Sequence, residues 1–283
     1  MDTPTVLITG TSSGIGLAAA LEMQRRGWTV FAAVRKADDL ENLKSRNLIP
    51  VHLDVADAAS IDRAVTEVLN QCDGHLTGLV NNAGFGQPGA IEDLSREAMR
   101  AQFEVNVFGL QDLTNRVLPG MIQQGHGRIV QISSVVGRIA LPFMGIYSAS
   151  KFAVEALADA QRVELIGTEV RLSLVEPGPI TTRFSKNAIS STHSILSTEH
   201  SRFTEMYQKE LADRAKERDP RPFALPPEAV ARKIAHALTS PHPRRRYKVT
   251  LPAHLGAFMS RAAPDALIDW ILARELRKYP DGP

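Results

Sequence analysis

Val6-Leu7-Ile8-Thr9-Gly10-Thr11-Ser12-Ser13-Gly14-Ile15-Gly16 is the stretch whose reading decides the fold. A short apolar run meets a glycine-rich turn, and Leu17 to Arg26 then carries helical spacing up to Gly27, a residue suited to a helix C-cap. A strand that passes into a helix through glycines points backbone N–H groups and the helix N-terminus at one spot. The missing Cβ atoms let a pyrophosphate come close to them. Thr29 to Val34 follows as a second strand and ends at Arg35-Lys36, completing a βαβ unit of the length that parallel strands require.

Outward from this unit the alternation continues. Leu48 to Leu53, Leu76 to Val80, Arg128 to Ile132 and Val170 to Val175 read as strands, the last stopped by Pro177-Gly178-Pro179, and Arg246 to Leu251 reads as one more. Ala59 to Gln71, Arg96 to Gln124 with interruptions, Tyr147 to Ile166 and Glu228 to Leu238 read as helices. Buried-looking strands alternating with helices predict an α/β fold, a doubly wound Rossmann-type parallel sheet with helices on both faces, whose functional residues lie just after the strands. We expect one catalytic domain over residues 1–283. The pattern loosens into serines, histidines, charges and prolines over 184–227, which predicts a substrate lid. Residues 252–283 form an amphipathic, helical C-terminal extension, and core or subunit packing is the reading adopted for it over attachment to a membrane surface.

Composition narrows the function classes. Hydrophobic residues at 43% and charged residues at 23% of 283 supply a sizeable core and exclude disorder, collagen and coiled coil. A net charge of +2 gives no field that would draw the chain to nucleic acid. The single cysteine, Cys72, excludes a disulfide scaffold, and the eight histidines lack metal-ligand spacing, so no metal is expected. Met1-Asp2-Thr3-Pro4 lacks the pattern of a secretory signal and no stretch is apolar enough to span a bilayer, so a soluble, cytoplasmic protein is expected. Arg244-Arg245-Arg246 reads as a solvated loop.

Four features carry chemistry. Arg35 and Lys36 stand where an NAD-preferring fold commonly has an acidic residue, and a guanidinium there suits a 2′-phosphate, which favours NADP(H) over NAD(H). Tyr147 and Lys151, four residues apart on a helix, share one face, so the ammonium can favour the phenolate of a tyrosine that would otherwise be a poor acid/base. Ser133-Ser134 and Asn81-Asn82-Ala83-Gly84 each follow a strand.

Together, Thr9-Gly10-x-x-x-Gly14-Ile15-Gly16, Asp54-Val55, Asn82-Ala83-Gly84, Asn106, Ser134, Tyr147-x-x-x-Lys151 and Pro177-Gly178 match in order and spacing over Thr5 to Thr182, and the chain resembles the short-chain dehydrogenase/reductase family. Within it the likeness is to the NADP-using 17β-hydroxysteroid and retinol dehydrogenase type. The resemblance implies that Tyr147 exchanges a proton with the substrate oxygen and Ser134, preferred over Ser133 by spacing, holds that oxygen. It implies that Lys151 lowers the Tyr147 pKa and binds the nicotinamide ribose, and that Asn106 holds a water in a proton relay. Cofactor contacts are implied for Gly10, Ser12, Ser13, Gly14, Ile15, Gly16, Arg35, Asp54, Val55, Asn82, Ala83, Gly84, Tyr147, Lys151, Pro177, Gly178, Ile180 and Thr182, with Arg35 and Ser12 at the 2′-phosphate. A homodimer or homotetramer follows by the same analogy.

Ile139 to Met144 and the lid residues Phe184, Phe203, Met206 and Tyr207 predict an apolar pocket, with Ser134, Leu141, Tyr147 and Phe184 as substrate contacts, while Arg183, Lys186 and Arg202 leave an anionic anchor open. The expected function is interconversion of a lipophilic or aromatic carbonyl compound and its alcohol by hydride transfer. The alternatives are a non-catalytic NADP(H)-binding regulator and an epimerase or dehydratase on the same scaffold.

Overall fold

The computed structural model describes residues 3–182, 201–205, 207 and 222–276. Seven parallel strands form one sheet: β1 Thr5–Thr9, β2 Thr29–Val34, β3 Ile49–His52, β4 Gly78–Asn81, β5 Gly127–Ile132, β6 Val170–Pro177 and β7 Arg246–Val249, in the order β3-β2-β1-β4-β5-β6-β7. The order reverses direction between β1 and β4, so the connections leaving these two strands run to opposite sides and leave a crevice at the carboxyl edge.

Alternation along each strand divides the core between the two faces. Val6 and Ile8 point to one side and pack with Ala19, Ala20 and Met23 of α1 (Gly14–Arg25), and with Val230 and Ile234 of the helix Pro227–Thr239. Leu7 points to the other, into a core with Ile61, Leu113 and Val154 from α3 (Ala58–Gln71), α5 (Leu110–Gln123) and α6 (Gly145–Glu164). A short α2 (Asp38–Lys44), which the sequence reading leaves as a connection, fills the β2–β3 crossover.

The predicted helix over Arg96 to Gln124 is three pieces: α4 (Arg96–Phe103), a wider π-helical segment Glu104–Gly109, and α5. Ser95 caps α4 by accepting the Ala98 N–H at 3.2 Å. β6 runs two residues past its predicted stop, because Pro177 still pairs with Val249 and the next N–H, that of Gly178, donates to the Val249 carbonyl at 2.9 Å. Conversely β7 stops at Val249, and Leu251 already opens the next helix.

The C-terminal helices are α7 (Pro227–Thr239, set by Pro227 at its first turn), α8 (Leu251–Ala262) and α9 (Asp265–Leu276). α7 therefore starts inside the predicted lid boundary of 184–227. Ahead of it, Ile180 and Leu225 form a bridge in which Thr181 N–H donates to Leu225 carbonyl at 2.9 Å. No described helix is long and apolar enough to cross a membrane.

Candidate active site

The turn after β1 is built by backbone demands. Gly10 and Gly14 sit at φ +70° and +61°, a region costly for residues with a Cβ. At Gly16 a Cβ would lie 2.2 Å from the Gly10 carbonyl oxygen, so α1 could not close on the turn. Asn82, at the end of β4, donates through Nδ2 to the Thr9 and Gly10 carbonyls at 2.8 and 3.1 Å. Thr9 Oγ1 accepts from the N–H groups of Asn82 and Ala83 at 3.0 and 2.8 Å, so the two strand ends flanking the crevice are stitched together.

Ser13, the N-cap of α1, makes no capping side-chain hydrogen bond, which leaves first-turn amides unclaimed by it. Across the crevice a Cβ on Gly14 would come within 3.3 Å of the Thr182 methyl, so Thr182 and the loop after β6 face the turn. Arg35 and Ser12 are both exposed, Arg35 just past the end of β2. Asp54 accepts the Ala56 N–H at 2.9 Å, which shapes the turn after β3. Val55 is buried, with its carbonyl against Gly109, where a Cβ would lie 1.8 Å from that oxygen. Free amides at a helix N-terminus, glycines where side chains would intrude and an exposed arginine beyond β2 fit a phosphorylated dinucleotide.

The catalytic candidates converge at the ends of β5 and β6. Ser134 starts the single 3-10 turn Val135–Gly137 after β5, and its Oγ accepts the Val136 N–H at 3.3 Å and lies 3.5 Å from the Pro177 carbonyl. Tyr147 and Lys151 lie one turn apart on α6, both buried, with Nζ 5.8 Å from the Tyr147 ring centroid. Lys151 Nζ donates to the Ile132 carbonyl at 2.8 Å. Tyr147 shares a side-chain hydrogen bond with Ser134, which brings the predicted pair together. Ser133 is buried.

Burial dominates the electrostatics here. Burial pushes the Tyr147 phenol up to about 12, and the Ser134 hydrogen bond offsets only part of this. Burial pulls Lys151 down to about 8, opposed by the charge of Glu155. Burial thus holds Tyr147 in its protonated, proton-donating form.

Asn106 is fully buried in the π-helical segment. Its Nδ2 donates to the Phe85 carbonyl at 3.0 Å and to Ser150 Oγ at 3.1 Å, and its Oδ1 accepts the Phe85 N–H at 3.1 Å. These bonds fasten the loop after Asn82-Ala83-Gly84 to α6. Gln102, which the sequence reading did not single out, makes a parallel clasp: Oε1 accepts the Gln87 N–H at 2.7 Å and Nε2 donates to the Phe85 carbonyl at 2.8 Å. Its position one turn before Asn106 is the only sequence signal that could have pointed to it.

On the substrate side Leu141 is exposed beside the serine loop, and Gly89 N–H donates to the Phe143 carbonyl at 2.8 Å, joining two loops at the mouth. Phe143 packs edge-on against Phe203 and Tyr207. Tyr207 donates to Asp93 at 2.6 Å and accepts the Ala90 N–H at 2.7 Å, while Arg202 pairs with Glu92. Arg202 thereby reaches the 3-10 turn Ile91–Asp93. Phe184, Met206, Arg183 and Lys186 lie outside the described residues. Arg246 corrects another expectation: it is a partly buried strand residue in an ion cluster with Glu155, Asp159 and Glu176, whereas Arg244 and Arg245 are exposed.

The fold and the site together define an oxidoreductase of Rossmann type. Residues 4–192 match the family model described as short chain dehydrogenase. The chain belongs to the short-chain dehydrogenase/reductase family, whose members act on CH–OH groups. It is 44% identical over 267 residues (94% of this chain, 93% of the relative) to the uncharacterized oxidoreductase YbbO of Escherichia coli K12. It is 35% identical to the NADPH-dependent 3-dehydrocapnine reductase of Ornithobacterium rhinotracheale (96% and 97% covered) and 36% identical to 17-beta-hydroxysteroid dehydrogenase type 6 of Rattus norvegicus (96% and 89% covered). Among solved structures, a short-chain dehydrogenase from Burkholderia cenocepacia in complex with NADP aligns with a TM-score of 0.74 at 26% identity (96% and 98% covered). One from Burkholderia phymatum in complex with NAD aligns with a TM-score of 0.77 at 26% identity (96% and 95% covered).

Proposed function

We propose that this protein is an NADP(H)-dependent oxidoreductase that interconverts a lipophilic or aromatic aldehyde or ketone and its alcohol, with Tyr147 as the general acid/base. The observation that carries the reading is the hydrogen-bonded Tyr147–Ser134 pair backed by Lys151 at the carboxyl edge of the sheet, next to the glycine turn. The cofactor supplies or accepts the hydride. Ser134 orients the carbonyl oxygen, and the protonated Tyr147 donates to that oxygen as it becomes an alkoxide, the point at which a donor is worth most. Lys151 holds a positive charge behind the phenol and offers its ammonium to the ribose. Asn106 and Gln102 keep the loop after β4 at its distance from α6. The exposed Arg35 and Ser12 support recognition of a 2′-phosphate, as does the name of the NADPH-dependent relative. Leu141 and the Phe143 cluster support an apolar substrate.

The test is NADPH oxidation by the purified protein across aliphatic, aromatic, retinoid and steroid carbonyls, with NADH and the Tyr147→Phe variant alongside. Selective turnover of one carbonyl class that vanishes in Tyr147→Phe is the expected result. Tight NADPH binding without turnover of any member would turn the reading toward a regulator, and product formation without net NADPH consumption would turn it toward an epimerase or dehydratase.

A further inference from the structure

Behind the Tyr147–Lys151 pair lies an ion cluster that the chemistry above does not use. Glu155, one helical turn after Lys151, and Glu176, next to Pro177 on β6, are both buried. Arg138, which follows the serine turn, donates to Glu176 Oε1 at 3.2 and 3.3 Å and stands 3.6 Å from Glu155 Oε2. Arg246 on β7 donates to Glu155 Oε2 at 3.0 and 3.2 Å, lies 3.0 Å from Glu176 Oε1 and reaches both oxygens of Asp159 at 2.7 Å. Arg162 completes the group on Asp159 at 2.6 Å.

Glu155, Glu176 and Asp159 balance Arg138, Arg246 and Arg162, so the cluster is neutral and Lys151 stands beside it as one further cation. Taking such charges out of water is costly, and a well-packed apolar cluster is often at least as stable, so stability alone is a weak reason for this arrangement. Its place in the fold suggests another: the cluster ties the serine turn, α6, β6 and β7 together, directly under the reacting groups.

We propose that Glu155 is a positioning residue for the Tyr147–Lys151 pair, keeping the cluster neutral so that Lys151 stays charged behind the phenol. The proposal rests on the acid/base reading of Tyr147. The groups that face Lys151 and Glu155 are Tyr147 and Asp159 on α6, the Ile132 carbonyl on β5, Ser133 and Arg138 on either side of the serine turn, Glu176 on β6 and Arg246 on β7. Residues four apart on a helix are close neighbours, and charge interactions in a buried site are weakly screened. Removing the Glu155 charge converts a neutral cluster into a cation one turn from an ammonium that burial already pulls down. Lys151 would then lose its proton at lower pH, and the phenolate of Tyr147 would lose its support.

The test follows the Lys151 Nζ signal by nitrogen NMR in the full-length protein, assigned by its loss in K151R, together with the pH profile of alcohol oxidation. In E155Q the Nζ midpoint should fall by about one pH unit or more, and the rising limb of alcohol oxidation should move to higher pH. E155D, which keeps the charge, should stay near the parent protein. E176Q serves as the structural control: it should lower stability in denaturant comparably, with a smaller movement of the midpoint. R138Q removes a neighbouring cation and should move the midpoint up, so it carries the test alone if E155Q does not fold. An unmoved midpoint in folded E155Q, an unmoved or lowered one in R138Q, or a moved midpoint with an unmoved pH profile each overturns the proposal. Failure of the underlying reading shows separately, as full turnover by Y147F.

Discussion

Tyr147 is held as an acid by burial, and its value of about 12 against an ordinary 10 sets what a single hydroxyl should do. Tyr147→Phe keeps the ring that fills this buried site and deletes only the proton donor. It should retain NADPH binding, measured by fluorescence titration, and lose roughly 10²- to 10⁴-fold in turnover. Arg35→Asp should lower the preference for NADPH over NADH by about tenfold or more in kcat/KM, since it exchanges a charge-assisted partner of a phosphate for a repulsive group. An unchanged ratio would place the phosphate site elsewhere. Lys151 gives a pH prediction with a definite sign. Its folded value of about 8 lies below the ordinary 10.5, so between those pH values the unfolded chain binds more protons and stability rises with pH. Lys151→Met removes this penalty, so its stability advantage over the parent protein should be greatest below pH 8 and shrink as pH rises toward 10.5. Tyr147 acts oppositely above pH 10, where the folded state keeps the proton longer and stability falls. Denaturant unfolding of both proteins at several pH values measures both trends.

Elements meet in this protein at glycines that admit no side chain. The π-helical segment between α4 and α5 ends at Gly109, pressed on the Val55 carbonyl, so the segment carrying Asn106 and the loop after β3 are fixed against each other. A Cβ at Gly109 can be relieved only by moving backbone. Gly109→Ala should therefore cost about 1–3 kcal/mol in denaturant unfolding, the range typical of overpacking, and should lower turnover by displacing Asn106. The glycine turn and Tyr147-x-x-x-Lys151 were readable in sequence because their spacing is local and fixed by helix and turn geometry. The Gln102 and Asn106 clasps on Phe85 and the Arg138–Glu176–Arg246 contacts were not, because each joins residues from different elements and carries no periodicity of its own. Arg246 was misread for that reason: a run of three arginines looks solvated until β7 turns one of them inward.

At the scale of the whole molecule, apolar surface is left uncovered on α6, where Phe152 (43% exposed), Ala156, Ala160 and Val163 (61%) form one outward stripe, and Phe108 of the π-helical segment is exposed as well (56%). A stripe of this kind supports the expected homodimer or homotetramer. Sedimentation should give a mass at least twice the 30.9 kDa chain, and Val163→Glu should reduce it with the circular dichroism unchanged. A monomeric parent protein would refute that assembly. Sequence by itself determined the strand–glycine–helix opening, the alternation that yields a parallel sheet, and the Tyr147–Lys151 spacing, because each depends on contacts within one element or one βαβ unit. Only the tertiary structure decided that burial raises the phenol and lowers the ammonium, and that a neutral ion cluster stands behind them. Desolvation and charge balance are properties of what surrounds a residue, and that surrounding exists only once distant strands and helices have packed.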